Sequence, residues 1–504
     1  MKQITKYTLA AIATLGIWKS PAFAQIAPIC EGQLAREIET IRHNHSERAS
    51  WGIFIETLSQ QEIYRENARQ YFIPASNAKL LTTAAALQRL GAEYRVRTSI
   101  YRTETGLHVT GRGDPSLTGE SLAQLVRLIA ETGLQQVDRL VLDDSYFGGE
   151  AINPNWDWED VQAGYGAPVN SAILDRNEIP FILHPQGLGQ PLRVEWERSI
   201  DRGRWNVENR SVTVAENAPE WLSVGRDLHS STVRVSGQLI EGSPPEPVSV
   251  AVVNPTEQFL QQLQQALTTE GISIGESIAV TESIPVKGAE IAVLLSPTVG
   301  ELVDRTNRVS DNLYAEVLLR WLGTTRADDG TSAARRGVFV VEEALRELGV
   351  DPASFALNDG SGLSRLNWVS PESLVQTLQG MARSPHARLY RNSLPVASES
   401  GTLQSRLSGS PYRVQAKTGT LTGVSALSGY LEHPRYGTLV FSIIVNNSDR
   451  STTEQRRSID EIVLLLTRLQ PCQGYDETQS NNTHVETEDE RTPTSRRLGA
   501  GTVS

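Results

Sequence analysis

Lysine is nearly missing from this chain. Its only lysines are Lys2, Lys6, Lys19, Lys79, Lys287 and Lys417, against many arginines. Arginine keeps its proton in a protein and lysine can release it, so a position that retains lysine here can use an amine. No basic stretch interleaved with aromatics occurs, and the net charge is −12, which excludes nucleic acid as a natural partner. The eight histidines are scattered without metal-ligand spacing, so no metal is assigned and no cofactor is expected. No repeat of solenoid period is present. Beyond the first residues no apolar run is long enough for a membrane helix, so no transmembrane segment is expected in the mature chain.

The start of the chain has the pattern of an export signal. Lys2 and Lys6 precede a short apolar run from Tyr7 to Trp18, and Ala22-Phe23-Ala24 forms an A-x-A cleavage site. A mature chain from Gln25, delivered to the periplasm or another extracytoplasmic space, is expected. The leader has no twin-arginine pair, which favours the general secretory route. The two cysteines, Cys30 and Cys472, would then meet an oxidising compartment. A disulfide between them would pin the first and last helices together; two free thiols are the other option. The polar end, residues 471–504, reads as disordered.

What the chain does contain centres on Pro74-Ala75-Ser76-Asn77-Ala78-Lys79-Leu80-Leu81. The Ala- and Leu-rich continuation is helix-forming, with Ser76 at its first turn. Ser76 and Lys79, three apart, share one helical face. A serine hydroxyl needs an adjacent base to act as a nucleophile, and a desolvated lysine can serve as that base. Ser-x-x-Lys alone fits a capping serine and a surface lysine equally well. Two further motifs follow in order: Ser310-Asp311-Asn312, then Lys417-Thr418-Gly419-Thr420. Such a trio belongs to serine enzymes that acylate on penicillin.

At 504 residues more than one domain is expected. The stretch between Ser76 and Ser310 is too long for a loop and must hold folded inserts. Strand-helix-strand patterns flank a stretch of short strands and Gly, Pro and Asn turns. The reading is a catalytic domain from 25–95 and 286–470, an α/β insert from 96–178 and 246–285, and a nested β-rich unit at 179–245. In this reading Val248 to Val253 is a strand of the α/β insert.

With these motifs the chain resembles the penicillin-binding proteins of the D-alanyl-D-alanine carboxypeptidase/endopeptidase type, peptidase family S13. Asp359-Gly360-Ser361-Gly362-Leu363-Ser364-Arg365, Gly113-Asp114-Pro115 and Leu394-Pro395-Val396 look like secondary signatures of that family. One departure is Ser400-Gly401, where Asp-Gly is expected. The resemblance implies an α/β fold: a serine β-lactamase/transpeptidase-like domain of antiparallel sheet and helices, carrying an inserted α/β domain that itself carries a small β-rich domain. It implies peptidoglycan stem peptides as substrates and β-lactams as covalent inhibitors. By the same resemblance Ser76 is the nucleophile, Lys79 its base and Ser310 a proton relay. Asn312 would bond Lys79 and the substrate backbone. Lys417 and Thr418 would hold the substrate's terminal carboxylate, and Gly419 would let substrate approach the strand. The N–H groups of Ser76 and Thr420 would form the oxyanion hole.

Other residues read less sharply. Asp311 is expected to stabilise its turn. Arg365 faces either a substrate side chain or a structural ion-pair partner. Asp143 and Asp144 are read as a solvated strand end, with binding of a substrate amine as the other reading. Two competing functions stand beside a D,D-peptidase: a β-lactamase, and a catalytically silent wall-binding protein. No Glu between Asn312 and Lys417 is followed four residues later by Asn, which disfavours class A lactamase deacylation.

Overall fold

The computed structural model describes residues 28–46 and 48–472. The leader expected at 1–24, and the tail from 473 onward, lie outside the described residues. The backbone of the molecule is a five-stranded antiparallel sheet, in spatial order Val414–Leu421, Val424–His433, Gly437–Asn446, Ser50–Thr57 and Glu62–Glu66. Strand Ser50–Thr57 is buried along nearly its whole length because both faces of the sheet are covered. Trp51, Ile53 and Ile55 meet Leu34 and Ile38 of helix Glu31–Ser46 and Ile459 and Ile462 of helix Thr452–Leu466. Phe54, one residue out of phase, packs into the helical layer on the opposite face, as the two-residue period of a strand requires.

That second layer surrounds helix Ala78–Arg89. Helices Val299–Arg308, Asn312–Thr324, Ala333–Glu347 and Pro371–Arg383 all pack on it. Every residue from Ala78 to Leu87 is buried. A helix enclosed on all sides needs apolar or small residues all round, which Ala84, Ala85 and Ala86 supply. Capping boxes start two of the outer helices, Thr298 with Glu301 and Ser451 with Glu454.

The inserts form separate sheets. One is five-stranded and mixed, ordered Ser273–Val280, Gln136–Asp143, Gly106–Thr110, Arg97–Thr103 and Gly288–Leu295. Helices Gly119–Ala130 and Pro255–Thr269 contribute to its core. Strand Gly288–Leu295 pairs with Arg97–Thr103, so the chain rejoins the catalytic domain after Leu295 and not at 286. The nested unit has two three-stranded sheets. Strand Glu246–Ala251 pairs with Glu178–His184 there, which moves it out of the α/β insert where the sequence had put Val248 to Val253. In the second case the apolar pattern marks a strand but not the sheet it joins.

Cys30 and Cys472 are joined by a disulfide, with Cα atoms 4.7 Å apart. Beside it Ile29–Cys30 and Leu469–Gln470 pair in parallel, and the first helix packs on the last. Among the described residues no helix is long and apolar enough to cross a membrane.

Candidate active site

Pro74 leads into a 3-10 turn, Ala75–Asn77, that runs directly into helix Ala78–Arg89. Ser76 therefore sits on the turn just before the α-helix. Ala75 holds a positive φ of 47°, and the turn packs on strand Val414–Leu421. Gly419 belongs to this contact: a Cβ there would stand 2.6 Å from the Pro74 carbonyl oxygen. The glycine of the Lys-Thr-Gly motif thus admits the Ser76 turn, where the sequence reading had it admit substrate.

Lys79 is wholly buried, and its amine has three neighbours. Nζ lies 2.9 Å from Ser76 Oγ, 2.6 Å from Asn312 Oδ1 and 2.6 Å from the Ser361 carbonyl oxygen. The last two can only accept. A neutral amine has two N–H groups and one lone pair. With both N–H groups committed to Asn312 and Ser361, the lone pair faces the Ser76 hydroxyl. Burial lowers the amine's pKa to about 8, against the charges of Asp359, Asp311 and Glu316, which favour the ammonium.

A second group lies beside the first. Lys417, also wholly buried, has Nζ 2.8 Å from Ser310 Oγ and 2.8 Å from the Thr418 carbonyl oxygen. Burial, then the nearby Lys79, holds its pKa well below the usual lysine range. Ser310 adopts a φ of 64°, unusual for a non-glycine residue. Thr418 Oγ1 lies 2.7 Å from Thr402 Oγ1. Ser76, Ser310, Asn312 and Thr420 all line one cleft of about 680 Å³. Strand Val414–Leu421 is the sheet edge. Segment 395–397 bonds to its first half, at Val414 and Ala416. Among the described residues no strand pairs with the outer side of Lys417 to Leu421.

The remaining sequence candidates fall at different depths. Asp311 caps helix Asn312–Thr324 and pairs with Arg176 at 2.5 Å and Arg305 at 3.0 Å. Arg365 lines the cleft, pairs with Asp157 at 3.3 Å and donates to the Thr422 carbonyl at 3.1 Å. Asp143 and Asp144 do not line the cleft, and they are not a solvated strand end. Asp143 is buried against His108 at 3.3 Å. Asp144 accepts from the Ser171 and Ala172 N–H groups at 2.7 and 2.9 Å, bracing a loop. At the Ser400-Gly401 departure, Ser400 Oγ accepts from Arg308, a loop contact away from the two lysines.

One wall of the cleft escaped the sequence reading. The insert sends residues 157–165 across the catalytic domain, where Asp157, Glu159, Asp160 and Tyr165 face Arg365 and Arg450. Asn312 Nδ2 donates to the Tyr165 carbonyl at 3.0 Å. Trp156 Nε1 donates to Asp359 at 2.9 Å. No motif marks this stretch, and only its contacts in three dimensions give it meaning.

The geometry can be set beside known proteins. The family model described as the D-Ala-D-Ala carboxypeptidase 3 (S13) family matches residues 34–469. The D-alanyl-D-alanine carboxypeptidase of Actinomadura sp. (strain R39) is 33% identical over 454 residues, covering 85% of this chain and 83% of that protein. The penicillin-sensitive carboxypeptidase A of Dictyostelium discoideum is 28% identical over 466 residues, covering 83% and 87%. The crystal structure of penicillin binding protein 4 (dacB) from Haemophilus influenzae shares the fold, with a TM-score of 0.73 at 24% identity over 85% of this chain and 98% of that one. A match that runs from the first helix to the last strand, around a serine held against a buried amine, places this chain in the D-Ala-D-Ala carboxypeptidase 3 (S13) family.

Proposed function

We propose that this chain is an exported, penicillin-sensitive serine D,D-peptidase that cleaves the D-Ala-D-Ala bond of peptidoglycan stem peptides through an acyl-enzyme on Ser76. The observation that carries the reading is the buried Lys79 Nζ, 2.9 Å from Ser76 Oγ with Asn312 Oδ1 and the Ser361 carbonyl each at 2.6 Å, two acceptors that in the neutral amine leave the lone pair for Ser76. Ser76 attacks the carbonyl carbon of the penultimate D-alanine as Lys79 takes its proton. Backbone N–H groups of Ser76 and Thr420 stabilise the oxyanion; losing one such donor costs about 3 kcal/mol of barrier. The proton taken by Lys79 passes on through the Ser310 hydroxyl, which is bonded to Lys417, to the departing amine of the terminal D-alanine, and Lys79 is neutral again. Water then attacks the ester and regenerates the serine; an amino group of a neighbouring stem peptide is the alternative acceptor. Lys417 and Thr418 receive the terminal carboxylate, whose charge restores the ammonium that burial disfavours. The stem peptide runs along the unpaired edge from Lys417 to Leu421, in the manner of an added strand.

The test uses the purified mature protein with its disulfide intact. A peptide ending in D-Ala-D-Ala should release D-alanine, and a fluorescent penicillin should label the protein covalently. Ser76→Ala should abolish both. Rapid turnover of penicillin without a lasting adduct would replace this reading with a β-lactamase, and inertness toward both reagents would leave a silent wall-binding protein. Incubation with cross-linked muropeptides decides whether the cross-bridge is also a substrate.

A further inference from the structure

The loop that supplies the Ser361 carbonyl is itself held from behind. Glu316 lies one turn after Asn312 on helix Asn312–Thr324, and its side chain is 1% exposed. Its Oε1 accepts from the N–H groups of Gly360 and Ser361, at 2.8 and 2.9 Å. Its Oε2 accepts from Arg320 at 2.9 Å, so the charge is buried but paired. From the other side, Thr82 Oγ1 donates to the Gly360 carbonyl at 2.8 Å. The peptide plane whose oxygen meets Lys79 follows directly from the N–H that Glu316 grips. One helix thus supplies the first acceptor of the Lys79 amine, Asn312, and anchors the second.

We propose that Glu316 is a positioning residue for the reaction: it holds the Ser361 carbonyl on Lys79 and thereby fixes the direction of the amine's lone pair. This rests on the reading of Lys79 as the base. Asp359 Oδ1 accepts from the Gly362 N–H at 2.7 Å and holds the far side of the same peptide plane. Without Glu316 the near side is released, the Ser361 carbonyl is held less firmly on Lys79, and an N–H left with a poorer acceptor competes with the lone pair for Ser76. The charged groups acting on Lys79 are Asp359, Asp311 and Glu316, which favour its protonated form, and Lys417, which disfavours it. Arg320 neutralises part of the Glu316 effect. Removing the Glu316 charge therefore also makes Lys79 easier to deprotonate.

Glu316→Gln keeps the size and one acceptor oxygen but removes the charge. The rate of covalent labelling by fluorescent penicillin is followed from pH 5 to pH 10 in wild type and variant. The variant should acylate at least tenfold more slowly on its plateau, and its acid limb should move to lower pH. A purely structural role would lower the melting temperature and leave the acid limb in place. Because Glu316→Gln strands Arg320, the pair Glu316→Gln with Arg320→Met is measured alongside it; this folded variant should keep the slowed plateau, with a limb displaced less than in Glu316→Gln because both charges are gone. A folded variant with the wild-type plateau and limb overturns the proposal. Absence of labelling in wild type would instead overturn the catalytic reading beneath it.

Discussion

Ser310 and Lys417, 107 positions apart in the chain, meet at 2.8 Å between hydroxyl and amine. The contact depends on the left-handed backbone at Ser310, which aims a short side chain at a lysine on the sheet edge. Ser310→Ala keeps the fold and removes the relay. D-alanine release should fall by a factor of about 10²–10⁴, the usual worth of a positioned proton donor. Penicillin has no separate amine to expel, so its acylation should fall less. Stopped-flow labelling and D-alanine assay on the same preparation separate the two.

The Lys79 amine, lowered to about 8 by burial, fixes a pH dependence. On the proposed reading its neutral form acts as base, so acylation should climb about tenfold per unit below pH 8 and level off above it. Stability follows with a definite sign. The native amine binds fewer protons than an unfolded lysine between about 8 and the ordinary lysine value of 10.5, so its contribution to stability rises with pH across that window. The full cost, about 3 kcal/mol, is present below pH 8. The stability difference between wild type and Lys79→Met, measured by urea unfolding at several pH values, should shift toward wild type as pH rises from 8 to 10.5.

Gly362 offers a contrast in backbone space. It has a φ of +83°, and a Cβ there would stand 1.9 Å from the carbonyl oxygen of Ala75, beside the nucleophile. Gly91 has a similar φ of +81° with nothing within 4 Å. Gly91→Ala should cost only the conformational strain, about 1 kcal/mol. Gly362→Ala should cost several times more and displace the Ser76 turn. Calorimetry and penicillin labelling should show a small drop in melting temperature with full labelling for the first, and a large drop with labelling lost for the second.

The disulfide lies at the ends of the chain, on the layer of helices Glu31–Ser46 and Thr452–Leu466, across the sheet from the nucleophile helix. Cys30→Ser with Cys472→Ser should therefore lower stability, by about 2–5 kcal/mol, and spare acylation at 25 °C. Thermal unfolding and labelling of the double variant check both parts.

How much of this was legible beforehand differs by element. Ser76, Lys79, Ser310, Asn312 and Lys417 stand in short local motifs, and local spacing survives in a linear text. The lysine scarcity pointed to Lys79, because an amine can release a proton and a guanidinium cannot. Glu316 and Trp156 were not legible. Glu316 looks like any helical glutamate until Gly360 and Ser361 are folded onto it, and Trp156 sits in a stretch of turns without a periodic pattern. The strand Glu246–Ala251 was seen as a strand but joined to the wrong sheet, and Gly288–Leu295 was not seen as a strand of the insert, since partner choice depends on contacts distant in sequence. Asp143 and Asp144 looked solvated because paired acids at a strand end usually are; His108 and the 171–172 N–H groups cover them here.

The donation from Trp156 to Asp359, and the carbonyl that Tyr165 lends to Asn312, bear on any attempt to shrink this molecule. Splicing Arg97 directly to Leu295 would preserve Ser76, Lys79, Ser310, Asn312, Lys417 and the whole five-stranded catalytic sheet, and would delete Gly113-Asp114-Pro115. It would also strip a buried carboxylate of its indole partner and leave the Asn312 amide without its clamp. The excursion is structurally a lodger in the catalytic fold, but chemically it is a tenant whose removal takes part of the wall with it.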